Sequence, residues 1–285
     1  MSDAERFHRE QIEYWNSAGG ERWVTQQAHT DAMLVPITER AIAHAGVAKG
    51  ERVIDIGCGC GATTMALADR VGREGHVTGL DVSAPMLAAA RRRGSGRSNI
   101  TWLEGDAAAV PLPEAAADLL FSRFGVMFFG DPVRAFAHLR RSLRPGGRLA
   151  FVCWRDFDEN KWMKVPLTAA YQHVPKMPKL APEEPGPFAF ADAARIAAIL
   201  DGSGFATARI VPFDLQLDIA DGGGLDRACR LAVEIGPASR ALRDYPEAKP
   251  AVVATLQDKL RPYLRGDTVP LAAAVWLVSA TAPAD

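Results

Sequence analysis

The stretch VIDIGCGCGATT, residues 53–64, runs from a β-branched apolar segment directly into three glycines at alternate positions, Gly57, Gly59 and Gly61. The apolar run from Arg52 to Ile56 reads as a strand, and residues 61–71 return to helical composition. A strand that turns through glycines into a helix lets the main chain approach a ligand closely. The helix start also presents unpaired N–H groups. By themselves the glycines leave three readings open: a ligand loop, a metal site at Cys58 and Cys60, or a plain turn. With 25 glycines in 285 residues, such spacing arises somewhere by chance with a probability of roughly 0.2, so its surroundings must decide.

Downstream, strands and helices alternate. GHVTGLDVS (75–83) reads as a strand ending at Asp81, and SAPMLAAARRR (83–93) as a helix with Ser83 as N-cap and Pro85 in its first turn. NITWLEGD (99–106) gives a third strand ending at Asp106, and AADLLFSRF (116–124) a fourth. DPVRAFAHLRRSL (131–143) is a helix capped by Asp131 with Pro132 at its first position; RPGG stops it, and RLAFVCW (148–154) is a fifth strand. This alternation predicts a parallel sheet covered on both faces.

Three acids punctuate it. Asp55 lies inside the first strand, where an unpaired carboxylate is costly to bury. Asp81 stands where a carboxylate can accept both hydroxyls of a ribose, and Asp106 where one can accept from the exocyclic amine of adenine. Singly, each reads equally well as a solvated loop acid or an N-cap. In this order they converge on one crevice.

The motifs VIDIGCGCG, GLDVS, EGDAAAVPLP, FSRFGVMFF and LRRSLRPGGRLAF resemble, in sequence order, those of class I S-adenosylmethionine-dependent methyltransferases. They are most similar to the branch of quinone-biosynthesis C-methyltransferases and small-molecule methyltransferases. The likeness covers residues 50–154 well, and 205–218 and 270–281 loosely. It implies an α/β fold: a Rossmann-like, doubly wound sheet of about seven strands, mostly parallel with an antiparallel last strand, plus helical cap insertions. It further implies S-adenosylmethionine as cofactor, with its methionine end beside Asp55, Gly57, Gly59 and Gly61 and its ribose on Asp81. The adenine would lie between Val82, Met86 and the pair Asp106 and Ala107. Ser122 and Arg123, after the fourth strand, would line the methionine end and the substrate entrance. The N-terminal segment would cover the cofactor, with Tyr14, Trp15 and Trp23 as aromatic faces near a sulfonium.

The rest of the chain reads as additions to this core, residues 49–154. Residues 1–48, with Phe7 among their aromatics, form a helical cover whose helix starts near Asp31. Residues 155–191 form a cap rich in proline (166, 175, 178, 182, 185, 187). Residues 192–220 supply a helix and a strand of the core, 221–266 a second helical insertion, and 267–285 the closing strand and tail. Trp154, Phe157, Trp162, Met163, Tyr171 and Phe188 are candidate pocket walls, favouring a small apolar or aromatic acceptor. A base is needed for a hydroxyl or acidic carbon, not for a neutral amine. Among the histidines His173, in the cap, is the candidate; His138 reads as solvent-facing, and the sequence does not decide His8 and His29.

Several classes are disfavoured. The net charge of −1 gives no field for nucleic acid, and neither a Pro-Pro-aromatic motif after the fourth strand nor a Pro-Cys nucleophile is present. No stretch reaches the ~18 uninterrupted apolar residues of a membrane span. The charged start MSDAERFHREQIEYW lacks a signal core, so a cytoplasmic protein is expected; the Ala- and Arg-rich usage reads as bacterial, and a monomer or homodimer is expected. Cys58, Cys60, Cys153 and Cys229 lack paired metal spacing and read as free thiols, with no metal site. A nicotinamide dehydrogenase is the rival reading, since residues 57–62 fit G-x-G-x-x-A with Asp81 24 positions after the first glycine. Gly61, Asp55 and Asp106 are superfluous to it, and a second parallel half is missing. A cofactor-binding protein of non-methylating chemistry is the other alternative.

Overall fold

The computed structural model describes residues 3–178, 181 and 184–284, with side chains from residue 9 onward. The expectations about the side chains of Phe7 and His8, and about Pro182, lie outside what is described. Three helices, α1 (Asp3–Trp15), α2 (Ala18–Thr25) and α3 (Gln27–Ala45), precede the first strand. The alternating core follows: β1 (Arg52–Ile56), α4 (Ala62–Val71), β2 (His76–Asp81), α5 (Ala84–Arg93), β3 (Ile100–Glu104), β4 (Ala117–Arg123), α6 (Pro132–Arg140) and β5 (Leu143–Trp154). The cap contributes α7 (Lys161–Ala170), and α8 (Ala193–Gly202) and β6 (Ala206–Asp218) return to the core. The second insertion is α9 (Gly224–Ala232), α10 (Gly236–Ala241) and α11 (Lys249–Leu260), and β7 (Pro270–Thr281) closes the sheet.

The strand order is β3-β2-β1-β4-β5-β7-β6. The pairs from β3 across to β5 are parallel, whereas β7 runs antiparallel to both β5 and β6. This is the mixed, doubly wound sheet expected, and its antiparallel end differs from the second parallel half of an ordinary dehydrogenase. β1 is an interior strand, and Val53, Ile54, Asp55 and Ile56 are all buried, as a strand covered on both faces requires. The chain goes from β1 to β2 on one side and returns to β4 on the other. The connections after β1 and β4 therefore leave the carboxyl edge toward opposite faces of the sheet, the switch point at which sheets of this kind hold ligands.

Four boundaries differ from the sequence reading. β3 stops at Glu104, so Asp106 lies beyond the strand it was expected to end. Ser122 and Arg123 are the last residues of β4, not residues after it. RPGG does not separate helix from strand: Leu143 already pairs with Ala117, the register then shifts, and Arg148 pairs with Leu119. The glycines let that segment bulge within β5. Finally, α3 begins at Gln27, one turn earlier than the apolar spacing from Asp31 suggested.

Candidate functional site

The loop after β1 is held by main-chain bonds. The N–H groups of Gly57 and Cys58 both donate to the Leu80 carbonyl, at 2.8 and 3.1 Å. Gly57 and Gly59 adopt positive φ, 66° and 56°, where side chains are disfavoured. A Cβ on Gly57 would stand 2.6 Å from the Cα of Gly125, so the loops after β1 and β4 touch back to back. On Gly59 it would lie 2.8 Å from the Met86 methyl. Glycine is demanded by close approach on two sides. Cys58 and Cys60 are buried, and burial pushes the Cys58 thiol well up and that of Cys60 to about 12. These are inert protonated thiols. Among the described residues no group of three side chains could hold a metal ion.

Asp55 is 0% exposed. Its Oδ2 accepts from the hydroxyls of Thr63 and Thr64, each at 2.6 Å, while Oδ1 has no partner. Burial raises its pKa to about 6, against the opposing pull of the two threonines and Arg123. The two threonines end the glycine stretch and were not singled out from sequence; their place in the first turn of α4 aims them back at β1.

Asp81 accepts from the Gly59 N–H at 2.7 Å and from the Ser83 N–H at 2.8 Å. Burial shifts its pKa upward while these bonds resist. Ser83 caps α5, and its hydroxyl donates to the Trp15 carbonyl at 2.6 Å. Asn16 completes the staple: its amide donates to the Val82 carbonyl and accepts from the Ala84 N–H, both at 2.9 Å. The N-terminal segment is thus fixed to the turn after β2. Trp15 and Trp23 pack on Cys60, Met86 and Ala89, and Trp15 meets Phe128 edge-on at 5.2 Å. Tyr14 meets Trp15 edge-on at 5.2 Å, on the outer side of the group. It lies against Arg243, whose guanidinium is 5.9 Å from its ring.

Other expected residues serve the scaffold. Asp106 caps a turn, its Oδ1 accepting from the Ala108 N–H at 2.9 Å, beside half-buried Ala107. Ser122, fully buried, donates to the Ile56 carbonyl at 2.7 Å and accepts from the Gly125 N–H at 3.2 Å. It ties β1 to the loop after β4. Arg123 was expected at the substrate entrance, but its guanidinium donates to Thr38 Oγ1 at 2.8 Å and lies 3.9 Å from Asp31. Asp31 also binds Arg93 at 2.7 Å, and Arg93 donates to the Cys60 carbonyl at 2.6 Å. These charges brace α3 against the glycine loop.

The histidines are redistributed. His173 is exposed and shares a 2.7 Å hydrogen bond with Thr255 Oγ1. His138 is half-buried rather than solvent-facing, with Nε2 2.9 Å from the Val110 carbonyl. His29 is the buried one, 5% exposed, with neither ring nitrogen partnered. It sits one turn before Met33 on the buried stripe of α3. Starting the helix at Asp31 cut that turn off; extending the pattern back by four residues would have found it. Of the expected walls, Trp162 and Met163 line a cavity with His29. Trp154 stacks on Phe124 at 4.1 Å and meets Trp162 at 5.2 Å. Phe157 and Phe188 pair edge to face at 5.4 Å, and Tyr171 packs on the main core.

A family model described as a methyltransferase domain matches residues 53–147, from within β1 to within β5. The core of this chain is similar to a methyltransferase domain. The chain is 36% identical over 118 residues to the aklanonic acid methyltransferase of Streptomyces sp. (strain C5), covering 41% of this chain and 54% of that protein. Against the 2-phytyl-1,4-naphtoquinone methyltransferase of Thermosynechococcus vestitus it is 40% identical over 104 residues, 36% of this chain and 46% of that one. The chain spans about half the length of the curated relatives it matches. The fold is shared with the Haemonchus contortus phosphoethanolamine N-methyltransferase 2, solved in complex with S-adenosyl-L-methionine, at a TM-score of 0.58. That likeness is 16% identical and covers 95% of this chain and 59% of the other. Among the described residues no helix is long and apolar enough to cross a membrane.

Proposed function

We propose that this protein transfers a methyl group from S-adenosylmethionine to a small, apolar or aromatic acceptor. The observation that carries the reading is the unpartnered Asp55 Oδ1, fully buried beside glycines whose Cβ positions neighbouring chain already occupies. A buried acceptor left open in a glycine loop suits a ligand cation that completes it, such as the ammonium of a methionine moiety. When bound, the cofactor supplies a methyl group already activated on its sulfonium.

The residues of this chain then have distinct tasks. Asp55 holds the ammonium, and Asp81, oriented by the N–H groups of Gly59 and Ser83, accepts from the ribose. Val82, Met86 and Ala107 give the adenine apolar contact. Trp15 and Trp23, clamped through Asn16, keep water from the cofactor. Since the methyl is already activated, alignment of the acceptor and exclusion of water are the protein's main contributions. The relatives named for a naphthoquinone and for aklanonic acid support a polycyclic or quinonoid acceptor. The buried, unlinked thiols Cys58, Cys60, Cys153 and Cys229 support a reducing, cytoplasmic setting.

A thermal-shift comparison tests the reading. S-adenosylhomocysteine at a hundredfold excess over its Kd should stabilise the protein by about 2.7 kcal/mol, and NAD should not stabilise it. Stabilisation by NAD with no response to S-adenosylhomocysteine would reject the proposal in favour of a dehydrogenase.

A further inference from the structure

Separate parts of the chain meet around one buried histidine. A small cavity lies between the start of α3, the helix α7, the turn after β6 and the α9–α10 segment. Its lining includes His29, Trp162, Met163, Pro166, Ile219 and Ile235; the remainder is alanine, glycine and proline. The space open to a water-sized sphere is about 10 Å³, room for one water. His29 is 5% exposed, and neither of its ring nitrogens has a partner. The wall is therefore tight, apolar and built for a neutral imidazole.

No charged side chain lines this space, and those on the surrounding elements are engaged elsewhere or exposed. On α3, Asp31 accepts from Arg93 at 2.7 Å; on α7, Lys164 pairs with Asp158 at 2.7 Å and Lys161 is exposed. Glu234, between α9 and α10, pairs with Lys249 at 2.7 Å, while Asp226, Arg230 and Arg240 are exposed. The charges that act on His29 are Asp218, Asp221 and Arg227. Asp218 accepts from the N–H groups of Ala220, Gly222 and Val269, and Asp221 pairs with Arg227 at 3.0 Å. A proton taken up here creates a cation with no hydrogen-bond partner, a state proteins avoid by moving the wall or refusing the proton. Burial accordingly lowers the His29 pKa, against the pull of the two aspartates. The wall able to move is the second insertion. Gly222, Gly224 and Gly236, all at positive φ, stand at the approach to α9 and at the start of α10. The insertion also reaches the N-terminal cover: Arg243, after α10, lies 5.9 Å from the Tyr14 ring, which touches Trp15.

We propose that His29 is a pH-sensitive latch: neutral, it lets the α9–α10 insertion close on α3 and α7, and on taking a proton from solvent it opens that insertion and releases the Arg243 contact on the cover. The device does not depend on the methyl-transfer reading. Its sign follows from linkage. In the open form His29 meets water and titrates at the ordinary 6.5, whereas the closed form binds the proton more weakly. The open population therefore grows as pH falls through 6.5, by no more than about tenfold per unit, until the closed form is protonated too. Between pH 7.5 and pH 5 the growth is at most about thirtyfold. Asp55 works in the opposite direction, because burial raises its pKa and acid favours its folded surroundings. Acid thus loosens the insertion without loosening the strand at the centre of the glycine loop.

The test is amide hydrogen exchange of the full chain at pH 7.5 and pH 5, with each rate divided by the intrinsic rate at that pH. Peptides covering residues 225–243 should open at least about fivefold more readily at pH 5, while those from β1 and α4 stay within twofold. His29→Gln and His29→Leu do not titrate, and each should abolish the rise; the two differ in polarity, so one reads the effect where the other fails to fold. Peptides covering residues 12–17 should follow the insertion in the parent. No rise in the parent, a rise that persists in a folded variant, or an equal rise in β1 and α4 overturns the latch. Opening of residues 225–243 with unchanged exchange at 12–17 overturns the link to the cover.

Discussion

Replacing Asp55 by asparagine should change how stability depends on pH, by an amount that follows from its burial. The side chain is fully buried, and its pKa stands at about 6 against an ordinary 3.8. Because the folded-state value is raised, the folded chain binds this proton more tightly than the unfolded chain. The associated stability is complete below the ordinary value and is lost as pH rises through about 6. Two units at about 1.4 kcal/mol each give roughly 3 kcal/mol in total. About 2 kcal/mol of this falls between pH 4.5 and 8, because a third has already gone by pH 4.5. Asparagine keeps an oxygen for Thr63 and Thr64 and does not titrate. Its amide N–H groups in place of Oδ1 add a constant penalty that cancels when two pH values are compared. Urea unfolding of both proteins at pH 4.5 and pH 8 reads the effect. The stability of Asp55→Asn relative to the parent should improve by about 2 kcal/mol at the higher pH, while its affinity for S-adenosylhomocysteine falls. A relative stability that is independent of pH, or that worsens at pH 8, would refute the account of a carboxylate buried short of partners. The same titration bears on function: affinity of the parent for S-adenosylhomocysteine should weaken below about pH 6, where Asp55 takes up its proton.

Two further outcomes test the geometry around the crevice. Gly57→Ala should lose about 2–5 kcal/mol, combining the left-handed backbone penalty with the 2.6 Å approach to Gly125, whereas Gly46→Ala, at φ 60° with no atom within 4 Å, should lose only about 1–2 kcal/mol. Equal losses in urea unfolding would mean the two loops do not touch. Asp81→Ala should lower S-adenosylhomocysteine affinity at least tenfold in calorimetry; an unchanged affinity would remove Asp81 from the ribose contact.

Much of the core was legible because its determinants are local. Four β-branched or acidic residues after Arg52, three glycines and a helical run announce a strand, a tight turn and a helix without reference to anything distant. Repeating that alternation to Trp154 defines a parallel sheet, and a parallel sheet places its strand-end acids along one edge. This pattern put Asp55 and Asp81 at that edge, and the structure has Asp55 buried and Asp81 half-buried beside the glycine loop, with Trp15 and Trp23 packed on Cys60 and Met86. The antiparallel close by β7 was likewise expected from the resemblance.

What the tertiary structure alone decided concerns side chains whose partners lie far along the chain. Arg123 could have faced solvent, a ligand or the protein; Thr38 and Asp31, more than eighty residues away, draw it onto α3. His173 carried the right chemistry in a plausible segment, yet Thr255 holds it at the surface. His29 looked like one polar residue among many near the N-terminus. Its burial depends on α3 starting a turn early and on α7, α9 and α10 closing around it, a neighbourhood assembled from three separate parts of the chain. Backbone pattern is set by nearest neighbours and periodicity, so sequence determined the strand edge at which the proposed cofactor crevice lies. Desolvation and hydrogen-bond completion are set by whatever the folded chain brings alongside, so only the fold decided which acids, rings and histidines could act in it.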